Sequence, residues 1–227
     1  MQLARPLLTT ALVTAVVALL SYALPGDWQS TGVGVCLLAA TYWLVLRRDA
    51  ATIRHHGLAL GGIFEPVPIE PRRIARGVGQ SLLWALLAAL VFFPPFWLGF
   101  VGWWSPTRGF AWPPVPPLEA FLTQVLGIAM PEEMFYRGYA QTALDDASKW
   151  RVTVLGASVG VGLLLSSAVF ALGHFATTPD PARLSVFFPS LVFGWLRART
   201  SGIGAAVLFH AACNLFSAYL ADGYFPG

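Results

Sequence analysis

Apolar and polar positions alternate along the chain on the scale of whole helices, with long apolar runs separated by short polar connections. The runs fall at 6–24, 31–46, 77–99, 118–144, 152–175, 184–196 and 201–220. About 20 apolar residues carry a helix across a bilayer, so this pattern predicts an all-α, polytopic transmembrane bundle of about seven helices. Arg5 ahead of the first run, and Ser21-Tyr22-Ala23 at its end, give that run the outline of a signal peptide. Its length and the runs that follow favour a retained helix. Pro25-Gly26-Asp27 reads as a turn, and Pro94-Pro95 predicts a kink or an early end in the third helix. Trp97, Trp103, Trp104 and Trp112 gather around the prolines of 113–117, as aromatic residues do at a membrane boundary. In 152–175, the pairs Gly156/Gly160 and Ser158/Gly162 have the spacing that lets helices approach closely. Residues 177–181 break the chain before a short sixth run that closes on Arg197 and Arg199.

Composition sharpens this reading. The 227 residues are 56% hydrophobic and 11% charged, with a mean hydropathy of +0.65, where an average soluble domain carries about 25% charged residues. One integral membrane domain over 1–227 is expected, with 1–104 as N-terminal helices and the polar motifs confined to 118–220. The net charge of +3 does not mark a nucleic-acid binder, because the basic residues sit at the ends of apolar runs and form no stripe. The partner they imply is the lipid bilayer. Arg5, the six arginines between 47 and 76, Lys149, Arg151, Arg197 and Arg199 fall on one side of the seven-helix map, and Arg108 and Arg183 on the other. The positive-inside rule then predicts a cell-membrane protein with a cytoplasmic N-terminus and an external C-terminus. His55-His56 lies in the polar connection 47–76 and reads as a solvated pair, and Cys36 and Cys213 read as small hydrophobes.

The fourth run is the exception to apolar uniformity, because it contains Glu132, Glu133 and Arg137. An ionised side chain in hydrocarbon costs roughly 2.5 to 3.5 kcal/mol on insertion scales, so these groups should face the protein interior and serve a purpose. Glu133 and Arg137 are four apart and can pair along the helix. Glu132, turned about 100° away, is left without a cation of its own and is the candidate general base. His174 ends the fifth run, and His210 and Asn214 share one face of the seventh. Three helices thus present groups suited to acid/base work or to stabilising an oxyanion.

Glu132-Glu133 with Arg137 matches an EExxxR signature, Phe170 with His174 an FxxxH, and His210 with Asn214 an HxxxN, in order and each on an apolar helix. Over about 118–220 the chain therefore resembles the CAAX-protease and bacteriocin-processing (CPBP, or Abi) family of intramembrane endopeptidases. The resemblance implies hydrolysis of a peptide bond in a membrane-associated protein or peptide, CAAX-like, bacteriocin-like or a myxosortase-like C-terminal sorting signal. It implies that Glu132 and His174 activate a water and that His210 and Asn214 stabilise the oxyanion, with Glu133, Arg137 and Phe170 as structural support. No metal or other cofactor is expected, since HExxH is absent and an arginine competes for one carboxylate. The alternative is zinc held by Glu132, His174 and His210. Two non-enzymatic alternatives use the same polar groups, a membrane chaperone or immunity factor and a proton-coupled transporter.

Overall fold

The computed structural model describes residues 2–226. Helix α1 is Ala4–Ala23, and α2 is Gly26–Thr41 continued by a π-turn at Tyr42–Leu46. A short amphipathic helix α3, Ala50–His55, is capped by the Asp49 side chain accepting from the Thr52 N–H at 2.8 Å. Helix α4 is Pro71–Trp104. Helix α5 runs over 118–148 and contains two π-helical stretches, Gln124–Ala129 and Met134–Gln141. A β-hairpin follows, β1 Arg151–Val154 and β2 Ala157–Gly160, and then α6 Val161–Thr177, α7 Phe187–Thr200 and α8 Gly204–Tyr224.

The helical bundle is the one the hydropathy predicts. Among the described residues four helices are long and apolar enough to cross a membrane, Ala4–Ala23, Trp28–Leu46, Pro71–Trp104 and Gly204–Tyr224. Helices α5, α6 and α7 run between the same two ends of the bundle. At one end His55 meets Asp146 at the foot of α5, Arg197 donates to the His55 carbonyl, and Trp195 donates to the Val154 carbonyl of the hairpin. At the other end Tyr22 donates to the Ala176 carbonyl, Trp97 to Tyr224, and Tyr219 to the Pro113 carbonyl.

The distribution of polarity is inverted relative to a soluble core. Leu90 and Val91 on α4 are 73% and 77% exposed, while Glu133, Arg137, Ser166, Ser167 and Ser190 are buried. Lipid is as apolar as leucine, so burying a leucine between helices gains little, and association rests on close packing and interhelical hydrogen bonds.

Several segments depart from the hydropathy reading; α2 begins at Gly26, within the turn expected at Pro25-Gly26-Asp27, and α4 at Pro71, ahead of position 77. The fifth run does not begin as a helix at 152, because Arg151–Gly160 form the hairpin, paired from Arg151↔Gly160 to Val154↔Ala157. Val152, Thr153, Val154 and Val159 are β-branched, and Leu155-Gly156 have φ of 46° and 78°, the left-handed pair a two-residue hairpin turn requires. The glycine spacing in this run therefore does not mark a helix face: Gly156 makes the turn, and Gly162 is where α6 lies directly on the Gln141 carbonyl and Asp145 of α5. Of the two outcomes expected at Pro94-Pro95, a kink or an early end, the early end does not occur, since α4 continues to Trp104. Helix α5 is longer than the run 118–144 and is interrupted by π geometry, a feature that concentrates at functional sites.

Candidate active site

The acidic pair sits at the short α-helical stretch Met130–Glu133, between the two π stretches of α5. Glu133 and Arg137 are fully buried, with Arg137 Nη1 3.2 Å from Glu133 Oε1, four residues apart as the spacing predicts. Arg137 Nη2 also donates to Ser190 Oγ at 2.6 Å and to the Ser190 carbonyl at 3.2 Å on α7. Its guanidinium carbon lies 4.5 Å from the Phe170 ring centre and 5.2 Å from that of Phe193. One cation thus ties α5 to α6 and α7 through a carboxylate, a hydroxyl and two aromatic faces, the environment in which a buried guanidinium is tolerated.

Glu133 has a second partner. His210 Nδ1 lies 2.9 Å from Glu133 Oε1, so the proton on Nδ1 is directed at the carboxylate and Nε2 is turned toward Glu132 Oε2, 3.7 Å away. Phe193 stacks on His210 at 4.6 Å and an interplanar angle of 14°, which fixes the ring plane. Glu132 Oε2 has no hydrogen-bond partner among the described residues, and the side chain keeps 15% of its surface exposed. On α6, Nδ1 of His174 donates to the Phe170 carbonyl at 3.0 Å, and the two rings lie 4.3 Å apart. That bond leaves His174 Nε2 as the free nitrogen. Phe170 thereby touches both Arg137 and His174. Asn214 on α8 donates from Nδ2 to Gln124 Oε1 at 3.0 Å, leaving its second N–H and its carbonyl for other partners.

Two cavities meet at this cluster. The first, about 430 Å³, lies between α1, α2, α5 and α6 and is lined by Glu132, Tyr136, His174, Gln29 and Ser30. The second, about 510 Å³, lies between α4, α6, α7 and α8 and is lined by His174, His210, Asn214 and a wall of aromatics including Phe92, Phe96 and Trp103. His174 lines both. The four residues picked out for chemistry are brought together: Glu132 shares the first cavity with His174, His174 shares the second with His210 and Asn214, and Glu132 Oε2 lies 3.7 Å from His210 Nε2. Both cavities sit toward the end of the bundle that carries Tyr22, Thr178 and Trp103, away from the end that holds His55, Asp146 and Arg197.

Sequence reasoning did not find Ser190, Phe193, Gln124, Thr14 or Tyr136. Thr14 on α1 hydrogen-bonds the Tyr136 hydroxyl at 3.0 Å and so attaches the first helix to the wall of the polar cavity. A serine or threonine in an apolar helix is ordinary and carries no signal. Gln124, a polar amide two turns ahead of Glu132 on the same helix, could have been noticed.

Zinc on Glu132, His174 and His210 requires three donors converging on one point at about 2.0 to 2.2 Å. Among the described residues no three His, Cys, Asp or Glu side chains form a group able to hold a metal ion.

Residues 114–216 match the family model for Rce1-like proteins, type II CAAX prenyl endopeptidase Rce1-like. The match spans α5 to α8, the helices that carry every residue of the cluster. Comparison with the curated proteins and with the solved structures gives no match.

Proposed function

We propose that the chain, whose residues 114–216 match the Rce1-like model within the CPBP family, is a glutamate-type protease acting on a membrane-associated protein or peptide. The observation that carries this reading is the convergence at His174, where the cavity holding Glu132 adjoins the cavity holding His210 and Asn214.

In this reading Glu132 takes a proton from a water held between its carboxylate and His174 Nε2, and the water oxygen attacks the scissile carbonyl. The carbonyl oxygen becomes an oxyanion on the side of the second cavity, where the free Asn214 N–H donates to it, joined by His210 Nε2–H when the ring is an imidazolium that still donates from Nδ1 to Glu133. Collapse of the tetrahedral intermediate breaks the C–N bond, and the proton held by Glu132 passes to the leaving amine. The water supplies the hydroxyl of the new acid and the hydrogen of the new amine, so the atoms balance. Glu133 and Arg137 do not touch the substrate in this scheme; they hold the register of α5 and the orientation of the His210 ring.

The same reading needs no metal. It also places the site on the external side of a cell-membrane protein, since the cavities sit opposite the end where the arginine-rich connection, Arg151 and Arg197 collect. The test is comparative mass spectrometry of membranes containing the wild-type chain or its Glu132→Gln variant, at matched levels of folded protein. New termini next to hydrophobic segments should appear only with the wild type and should persist after chelator treatment. Equal cleavage by Glu132→Gln removes the role given to that carboxylate, and loss of cleavage with chelator transfers the reading to a metalloprotease.

A further inference from the structure

Two residues line both cavities, His174 and Arg183. Arg183 belongs to the 3-10 turn Pro181–Val186 that joins α6 to α7. The turn is held at its start by Pro181, by the Asp180 side chain accepting from the Ala182 N–H at 2.9 Å, and by the Arg183 N–H donating to the Asp180 carbonyl at 2.9 Å. The backbone that carries Arg183 is therefore fixed while its side chain is exposed. Among the described residues the arginines with carboxylate partners are Arg54, Arg73, Arg137 and Arg151. Arg183 has none, although Asp180 lies three residues away. Among the described residues it is also the only Lys or Arg that lines either cavity.

A peptide laid across His174, with its scissile bond between Glu132 and Asn214, must pass from the polar cavity into the aromatic one and so must pass Arg183. Glu132 repels any substrate carboxylate near the bond, and among the described residues Arg183 is the cation lining the cavities that can offset this. A guanidinium pairs with a carboxylate through two parallel N–H bonds, which gives direction as well as attraction. We propose that Arg183 is a specificity-determining residue that selects substrates carrying a carboxylate within a residue or two of the scissile bond, either an Asp or Glu side chain or a free chain terminus. The proposal rests on the protease reading and adds the chemical class of substrate to it.

The test reads binding without hydrolysis. The full chain with Glu132→Gln, in lipid nanodiscs, is titrated with four membrane-anchored peptides: one pair has Asp or Asn beside the bond, the other ends in a carboxylate or a carboxamide. Because Arg183 is exposed, the expected preference is modest, about fivefold in Kd for an acidic peptide over its amide partner. Adding Arg183→Glu should reverse that preference, and Arg183→Lys should keep only part of it. The pair that shows the effect identifies the source of the carboxylate. Equal affinities within both pairs, a preference that survives Arg183→Glu, or binding by none of the four overturns the proposal. A wild-type chain that cleaves nothing, beside a Glu132→Gln variant that still prefers acids through Arg183, would overturn the protease reading alone.

Discussion

Replacing Arg137 with methionine is the most informative single change outside the chemistry. The side chain is fully buried, and removing it takes away the 3.2 Å pair with Glu133, the 2.6 Å bond to Ser190 and the contacts with Phe170 and Phe193. Methionine fills much of the volume, so the cost is dominated by the Glu133 carboxylate, left buried with only His210 Nδ1 beside it. Breaking a buried pair from one side costs about 3 to 5 kcal/mol. For a chain of 227 residues, each kcal/mol moves Tm by about 2 to 4 °C, so a loss of about 6 to 20 °C is expected. The assay is thermal unfolding in detergent, followed by the thiol reactivity of Cys36 and Cys213, both partly buried and free. Glu133→Gln alone should lose a comparable amount, because it strands the guanidinium. The double variant removes both charges and should fall short of the sum of the two losses by about 2 kcal/mol. A single variant that shifts Tm by less than about 2 °C, or strictly additive losses, would refute the view that this pair carries the register of α5.

The remaining predictions concern neighbouring groups. Glu132→Gln should fold normally and abolish cleavage, measured as the loss of new peptide termini. Gly138→Ala should destabilise the protein by about 1 to 3 kcal/mol, because a Cβ there would stand 2.5 Å from Leu58 Cδ2, and Leu58 is fully buried; adding Leu58→Ala should soften the clash, and unfolding curves of both variants check it. His56, outside the membrane-spanning segments, is held below its ordinary pKa by burial, and it bonds the Gly138 carbonyl at 2.8 Å. The unfolded chain then takes up a proton before the folded one does, so stability is present above about pH 6.5 and declines as pH falls through the folded pKa. Melting curves between pH 5 and 8 should show that decline, and His56→Gln should flatten it.

The one-dimensional pattern was enough for the class of fold and for picking out the ionisable members of the cluster. Apolar runs of spanning length admit few structures in lipid, since every backbone group must be bonded within its own segment. Charged and imidazole groups inside such runs stand out because hydrocarbon makes them costly, so Glu132, Glu133, Arg137, His174 and His210 were visible without coordinates. The Glu133–Arg137 pair was equally visible, being a matter of helical spacing alone. What tertiary structure decided was which partners these groups take across helices. His210 and Glu133 are 77 residues apart, Asn214 and Gln124 are 90 apart, and Thr14 and Tyr136 are 122 apart. No periodicity encodes such pairs, because they depend on how the helices rotate and tilt once packed. The hairpin at Arg151–Gly160 was hidden for a related reason: four β-branched residues look apolar in a helix and in a strand alike, and the turn at Leu155-Gly156 together with the floor beneath it, Leu191, Trp195 and Ala198, selected the strand. Hydrophobicity set how many segments enter the membrane, whereas the few interhelical polar bonds set the rotation that brings Glu132 within 3.7 Å of His210.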